Sequence, residues 1–170
     1  PVRGSLTYKL YKKGWRGINI DISSSSINLF NLSRPKDKNL NIGITNKNGE
    51  DYFYQLGNIN QGNSFKYYEN AEKIKVKLST LDEIINKHKI NIVDFINIDA
   101  EYKDFEALEG LSLNKVRPSL ITIEDNNNYD IAKIMGTKIN QYLIEKDYFL
   151  FSRTICTSFY IDNKFRDKLD

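Results

Sequence analysis

The chain has 170 residues, 40% hydrophobic and 28% charged, with 25 basic against 22 acidic side chains for a formal charge of +3. This describes one soluble globular domain, residues 1–170, able to bury a core without staples. The near-balanced charge leaves no footprint for nucleic acid or an anionic membrane surface. A single cysteine, Cys156, excludes a disulfide framework and a cysteine metal cluster. No apolar run approaches the roughly 18 to 20 residues of a membrane span. The chain opens on Pro1 with no charged or apolar leader, so it is expected to begin inside a longer protein and to work in the cytoplasm.

In chain order, Ser5 reads as the N-cap of a short helix over residues 6–13, closed by Gly14. A strand follows at residues 18–22 and carries Asp21 near its end. Serines 23–26 before Ile27, Leu29 and Phe30 predict a helix start, and Pro35 predicts its end. Residues 39–45 read as a strand. Asn48-Gly49 then predicts a hairpin into Tyr52-Phe53-Tyr54. Residues 56–70 have no period and read as a loop or lid. Val76 and Leu78 form a short extended piece. Thr80-Leu81-Asp82-Glu83 is a capping-box pattern that opens a helix through Lys87.

The run from Ile92 to Ile98 is apolar enough for a strand buried on both faces, as parallel strands are. The period then changes: Phe105, Leu108 and Leu111 recur every three residues, and Gly110 marks the helix end. Leu120 to Glu124 predicts another strand ending on an acid. Residues 129–146 read as helical, with Gly136 as a break. Residues 148–152 and 158–161 are two closing strands. Strands alternating with helices imply a doubly wound, mostly parallel sheet.

Three strands thus end in carboxylates: at Asp21, at Asp99 with Glu101, and at Glu124 with Asp125. Open α/β sheets bind ligands at that edge, where an acid after the second strand accepts hydrogen bonds from ribose hydroxyls. Acids in a first helical turn are also favoured by the helix dipole. That alternative stands for Asp99, Glu101 and above all Asp104. His88, the only histidine, reads as a helix-end surface residue, and Cys156 as an inert thiol. Trp15 and the tyrosines of residues 52–68 read as packing residues before stacking ones.

Several stretches together resemble the FkbM-type S-adenosylmethionine-dependent methyltransferases. They are Tyr8 to Gly17 with Ile18-Asn19-Ile20-Asp21, Ser79-Thr80-Leu81-Asp82-Glu83, Asp94 to Glu101, Leu108-Glu109-Gly110, and Arg117-Pro118 with Ile121-Thr122-Ile123-Glu124. The chain departs from the family in having Tyr102 where a Gly is usual and Asn97 where a Lys is common. The resemblance implies a Rossmann-like class I methyltransferase sheet whose last two strands form an antiparallel closing hairpin. Its first strand and Gly-rich turn would lie before Pro1. It also implies S-adenosylmethionine as cofactor, with Asp21, Ile22 and Asp99 binding it. Asp99, Glu101 and Glu124 are the candidate catalytic acids. The implied acceptor is a hydroxyl of a sugar or small metabolite. Two alternatives remain open from the residues. One is a nucleotide-sugar glycosyltransferase in which Asp99 and Glu101 ligate a divalent cation. The other is a non-catalytic Rossmann-like binding module.

Overall fold

The computed structural model describes residues 1–55, 69, 71–125 and 130–168. They form a mixed α/β protein whose chain divides into two compact units, Pro1–Ser79 and Thr80–Asp170. Among the described residues no helix is long and apolar enough to cross a membrane.

The first unit begins with helix α1 (Tyr8–Lys12), strand β1 (Ile18–Asp21), helix α2 (Ser24–Ser33) and strand β2 (Lys38–Asn41). α1 starts two residues later than expected, with Thr7 and not Ser5 at its N-cap; Ser5 Oγ, one turn before, accepts the Tyr8 N–H at 3.1 Å. Ser23 caps α2 by accepting from the Ser26 N–H. β1 and β2 run parallel, with Asp21 opposite Asn41. What ties these elements is a buried ion pair. Arg34 lies 2.6 Å from Asp37 and reaches Thr7 Oγ1 at 2.7 Å, while Asp37 also accepts the Gly17 N–H at 3.1 Å. The guanidinium stacks near the rings of Tyr11 and Phe30. Every element of the pair therefore has a partner, the condition for a buried charge to be tolerated.

The rest of this unit corrects the hairpin reading. The strand expected at residues 39–45 breaks at Ile42 into β2 and a two-residue β3 (Gly43–Ile44). β4 (Gly49–Gln55) does not pair with it. β5 (Glu72–Ser79) lies between them, parallel to β3 and antiparallel to β4. The physical reason is the period-2 alternation of β5. Ile74, Val76 and Leu78 share one face, against the buried Phe53, while Lys73, Lys75 and Lys77 face water. Gly43 sits opposite Leu78, and a Cβ there would come within 2.6 Å of Leu78 Cδ2, so any larger residue would have to displace the Leu78 side chain. The lid expected at residues 56–70 falls almost wholly outside the described residues.

The second unit contains helix α3 (Leu81–Lys87), β6 (Phe95–Ile98), helix α4 (Asp104–Glu109), β7 (Leu120–Glu124), helices α5 (Ile131–Ile134) and α6 (Lys138–Glu145), β8 (Tyr148–Arg153), β9 (Thr157–Asp162) and a 3₁₀ turn (Asn163–Lys168). Thr80 Oγ1 accepts the Glu83 N–H at 3.1 Å, as the capping pattern requires. Asp82 next to it holds Ser112 through the Ser112 backbone N–H at 2.8 Å and the Ser112 hydroxyl. The sheet order is β6-β7-β9-β8, with β6 parallel to β7 and the closing pair antiparallel. Its core is Ile98, Leu108, Leu111, Leu113, Ile121, Ile123, Ile134 and Leu143 with the rings of Tyr148 and Tyr160. Tyr148 donates its hydroxyl to Pro118 O at 2.7 Å and Tyr160 to Asn140 Oδ1 at 3.2 Å, so both phenols are buried with partners.

β6 is shorter and less buried than its sequence suggests. Residues 92–94 lie outside it, Ile92 keeps 77% of its surface, and Asn97 is exposed. β6 is the edge strand of its sheet among the described residues, so only β7 covers it. The described ladders comprise parallel pairs β1–β2, β3–β5 and β6–β7 and antiparallel pairs β4–β5, β7–β9 and β8–β9, a more mixed pattern than the expected mostly parallel sheet.

Candidate active site

β6 and β7 are parallel with Ile98 opposite Ile123. One residue further on, Asp99 therefore stands beside Glu124 at the carboxyl edge. After Asp99 the chain makes a tight turn in which Glu101 and Tyr102 both take positive φ, +48° and +74°. Lys103 N–H closes the turn onto Ala100 O at 3.1 Å. Asp104 then opens α4 and folds back, its Oδ1 accepting the Ala100 N–H at 2.7 Å. The turn swings Asp104 under Asp99, and one carboxylate oxygen from each of Asp99, Asp104 and Glu124 falls within 4.8 Å of the others.

Their surroundings differ, and so do their proton affinities. Asp99 is exposed, Glu124 half-buried, and Asp104 keeps 9% of its surface. Burial pushes the Glu124 carboxyl up to about 7, reinforced by the charge and hydrogen bond of Asp99 and the charges of Asp104 and Glu101. Burial also raises the Asp104 carboxyl, with the Asp99 charge adding to it and the Ala100 N–H working against it. Like charges this close oppose one another's ionisation, which adds to burial in holding the proton on Glu124. The cluster can accept a proton from a bound hydroxyl, or gather a divalent cation through three oxygens.

The carboxyl end of β7 is held from the other side by the β8–β9 turn. Asp125 N–H donates to Cys156 O at 2.8 Å, and Arg153 Nη2 donates to Asp125 O at 2.8 Å. Cys156 is half-exposed and serves through its backbone. His88 is the C-cap of α3.

In the first unit, Asp21 ends β1 and is half-buried; its Oδ1 accepts the Ser23 N–H at 2.8 Å. Asn41 Nδ2 donates to Asp21 O at 3.0 Å and Ile22 O at 2.8 Å, which fixes the backbone at this strand end. A depression of about 200 Å³ beside it is lined by Ile22, Ser23, Asn41, Ile42 and Phe53 among others. Asp21 and Ile22 thus stand at a strand end beside a partly apolar hollow.

Of the acids expected from sequence, Asp99 and Glu124 come together, while Glu101 is not one of the three clustered carboxylates and acts on them through its charge. Asp104 reads from sequence chiefly as a helix-start acid. It does brace the turn, and it also joins the cluster. Its i+5 spacing from Asp99 carried no signal of this, because only the turn at positive φ brings it back.

The family model described as the methyltransferase FkbM domain matches residues 2–150. The chain is also similar to the large ribosomal subunit protein uL23 of Rickettsia typhi (strain ATCC VR-144 / Wilmington). The two are 28% identical over 74 residues, 44% of this chain and 74% of that protein. No solved structure gives a significant match.

Proposed function

Because the chain belongs to the FkbM methyltransferase family, we propose that it is an S-adenosylmethionine-dependent O-methyltransferase acting on a hydroxyl of a sugar or small metabolite. The observation that carries this reading is Glu124, a carboxyl raised to about 7 at the carboxyl edge of a parallel strand pair. A general base works best with a pKa near the operating pH. When bound, the cofactor supplies an electrophilic methyl group. Glu124 would take the proton of the acceptor hydroxyl as that oxygen accepts the methyl group and the cofactor's sulfonium leaves as a neutral thioether. Asp99 orients the hydroxyl beside Glu124, and Glu101 adds negative charge at the rim. Asp21, with Ile22, is assigned the ribose end of the cofactor, and Asp99 is counted with the cofactor-binding residues as well.

The fold that goes with this reading is the Rossmann-like class I sheet, with residues 1–170 as one methyltransferase domain. What supports it is strand order within each unit. β2 beside β1, and β6 beside β7, are the 3-2 and 4-5 neighbours of the order 3-2-1-4-5-6. The enzyme is taken to work in the cytoplasm, on a small or saccharide acceptor and without nucleic acid. The cation-dependent variant draws on the clustering of Asp99, Asp104 and Glu124 rather than on Asp99 with Glu101.

The test is transfer of radiolabelled methyl from S-adenosylmethionine to a panel of monosaccharides and polyols. Wild type is expected to label at least one acceptor, with a rate rising through about pH 7. Glu124→Gln and Asp99→Asn should each lose about 10²- to 10⁴-fold. A wild-type chain that binds cofactor and labels no hydroxyl on any acceptor overturns the reading.

A further inference from the structure

Ile131 and Ile155 keep 67% and 75% of their surface in water. With Arg153 and Thr154 they line a surface depression of about 340 Å³ in the second unit. Ile131 opens α5, and Ile155 sits in the turn between β8 and β9.

The turn that carries Ile155 is firmly braced. Arg153 donates through Nη1 to Ser158 Oγ at 2.5 Å, and through Nη2 to Asp125 O at 2.8 Å and Ile155 O at 3.2 Å. Thr154 and Thr157 close it with a backbone bond of 2.9 Å, Thr154 N–H to Thr157 O, and a side-chain bond of 3.2 Å, Thr157 N–H to Thr154 Oγ1. The guanidinium is committed to these carbonyl and hydroxyl oxygens, so the isoleucines are what the wall offers a ligand. Two isoleucines held in water on a rigid rim gain from any apolar group that covers them.

The turn that carries Ile155 leads into Thr157, which stands opposite Glu124 in the β7–β9 pair. Asp125 follows Glu124 directly in the chain, and it is Asp125 that Arg153 and the Cys156 carbonyl grip. A group resting on Ile131 and Ile155 therefore lies beside the end of β7. We propose that this depression is the apolar subsite for the acceptor: the acceptor carries an alkyl or aryl arm that covers Ile131 and Ile155 while its hydroxyl meets Glu124. This rests on the methyl-transfer reading and narrows it, from any sugar or small metabolite to an amphiphilic one.

The test uses the full chain with isoleucine methyl groups labelled for NMR, titrated with methyl β-D-glucoside or hexyl β-D-glucoside. The hexyl compound is expected to shift the Ile131 and Ile155 methyl signals and to bind roughly tenfold more tightly than the methyl compound. Ile155→Ser should remove most of that preference, whereas Ile92→Ser, at another exposed isoleucine of the same unit, should leave it intact. Equal binding of the two glucosides, or a preference that survives Ile131→Ser with Ile155→Ser, overturns the subsite. Methyl transfer is scored separately. A chain that binds the hexyl arm at these two residues yet methylates no hydroxyl overturns the transferase reading and leaves the apolar site standing. A chain that methylates both glucosides with equal kcat/KM does the reverse.

Discussion

Glu124→Gln should make the protein more stable while disabling it. In the unfolded chain the carboxyl ionises near 4.5, and in the folded chain it keeps its proton to about 7. Between those values the folded state binds more protons than the unfolded state, so stability falls as pH rises through the window, and the loss is complete above it. The full shift corresponds to about 3 kcal/mol. The carboxyl is half-buried, so solvent screening reduces this to roughly 1 to 2 kcal/mol. Glutamine keeps the shape, removes the charge facing Asp99 and Asp104, and can donate a hydrogen bond to Asp99. The variant should match wild type near pH 4 and exceed it at pH 8 by that amount, a rise of about 2 to 8 °C in Tm for a chain of this size. Thermal unfolding followed by circular dichroism at pH 4.5, 6 and 8 measures the difference. A Tm difference that is the same at all three values would refute the reasoning, since charge would not be what the substitution removes. A wild type more stable than the variant at pH 8 would refute it more directly.

Asp21→Ala should weaken S-adenosylhomocysteine binding by roughly 10- to 150-fold, the loss of a charged acceptor, and unchanged affinity in calorimetry would take Asp21 out of the cofactor site. Tyr102→Gly should stabilise the chain by up to about 1 kcal/mol, because a φ of +74° strains any residue with a Cβ. A lower Tm would mean that the tyrosine side chain holds the turn. Asp37→Ala leaves the guanidinium of Arg34 buried, with 4% of its surface exposed, and without its carboxylate. It should cost about 3 to 5 kcal/mol in urea unfolding, and a cost under about 1 kcal/mol would show that Thr7 and the neighbouring rings suffice.

What the sequence shows well is whatever one segment decides alone. β7 spans Leu120–Glu124 as its apolar run and terminal acid predict. Thr80 and Ser23 cap their helices because a hydroxyl at N-cap meets an N–H three residues on, whatever surrounds it. The break at Gly136 separates α5 from α6 as expected. What it shows poorly is whatever a distant segment decides. Asn48-Gly49 favours a hairpin locally, but β5 outcompetes β3 for β4 because it offers seven paired residues where β3 has two in all. Val76 and Leu78 read only as a short extended piece, whereas β5 runs over Glu72–Ser79, and neither its length nor its partner is fixed by those two residues. The site divides the same way. That Asp99 and Glu124 end neighbouring strands follows from the βα pattern. The raised Glu124 carboxyl does not, because its causes are burial in the folded chain and then the acids at Asp99, Asp104 and Glu101, about 20 to 25 residues away in sequence.

The same proton decides whether the acids work as a base or as a cation site. With no cation, burial together with Asp99 and Asp104 pushes the Glu124 carboxyl up to about 7, and stability falls with pH across the window. A divalent cation among the three oxygens would reverse the local sign: its charge outweighs the mutual repulsion, all three carboxylates ionise, and the Glu124 shift collapses. The pH dependence of stability is therefore a reporter of the cation that needs no acceptor and no turnover. The direct-base reading predicts that Tm plotted from pH 4.5 to 8 is superimposable with Mg²⁺ or Mn²⁺ at millimolar concentration and with EDTA. It also predicts that methyl transfer survives the chelator. A curve that flattens above pH 6 with the metal and regains its slope with EDTA would refute the direct base. Glu124 would then be a ligand, and the hydroxyl would lose its proton because a metal lowers its pKa rather than because a carboxylate takes it.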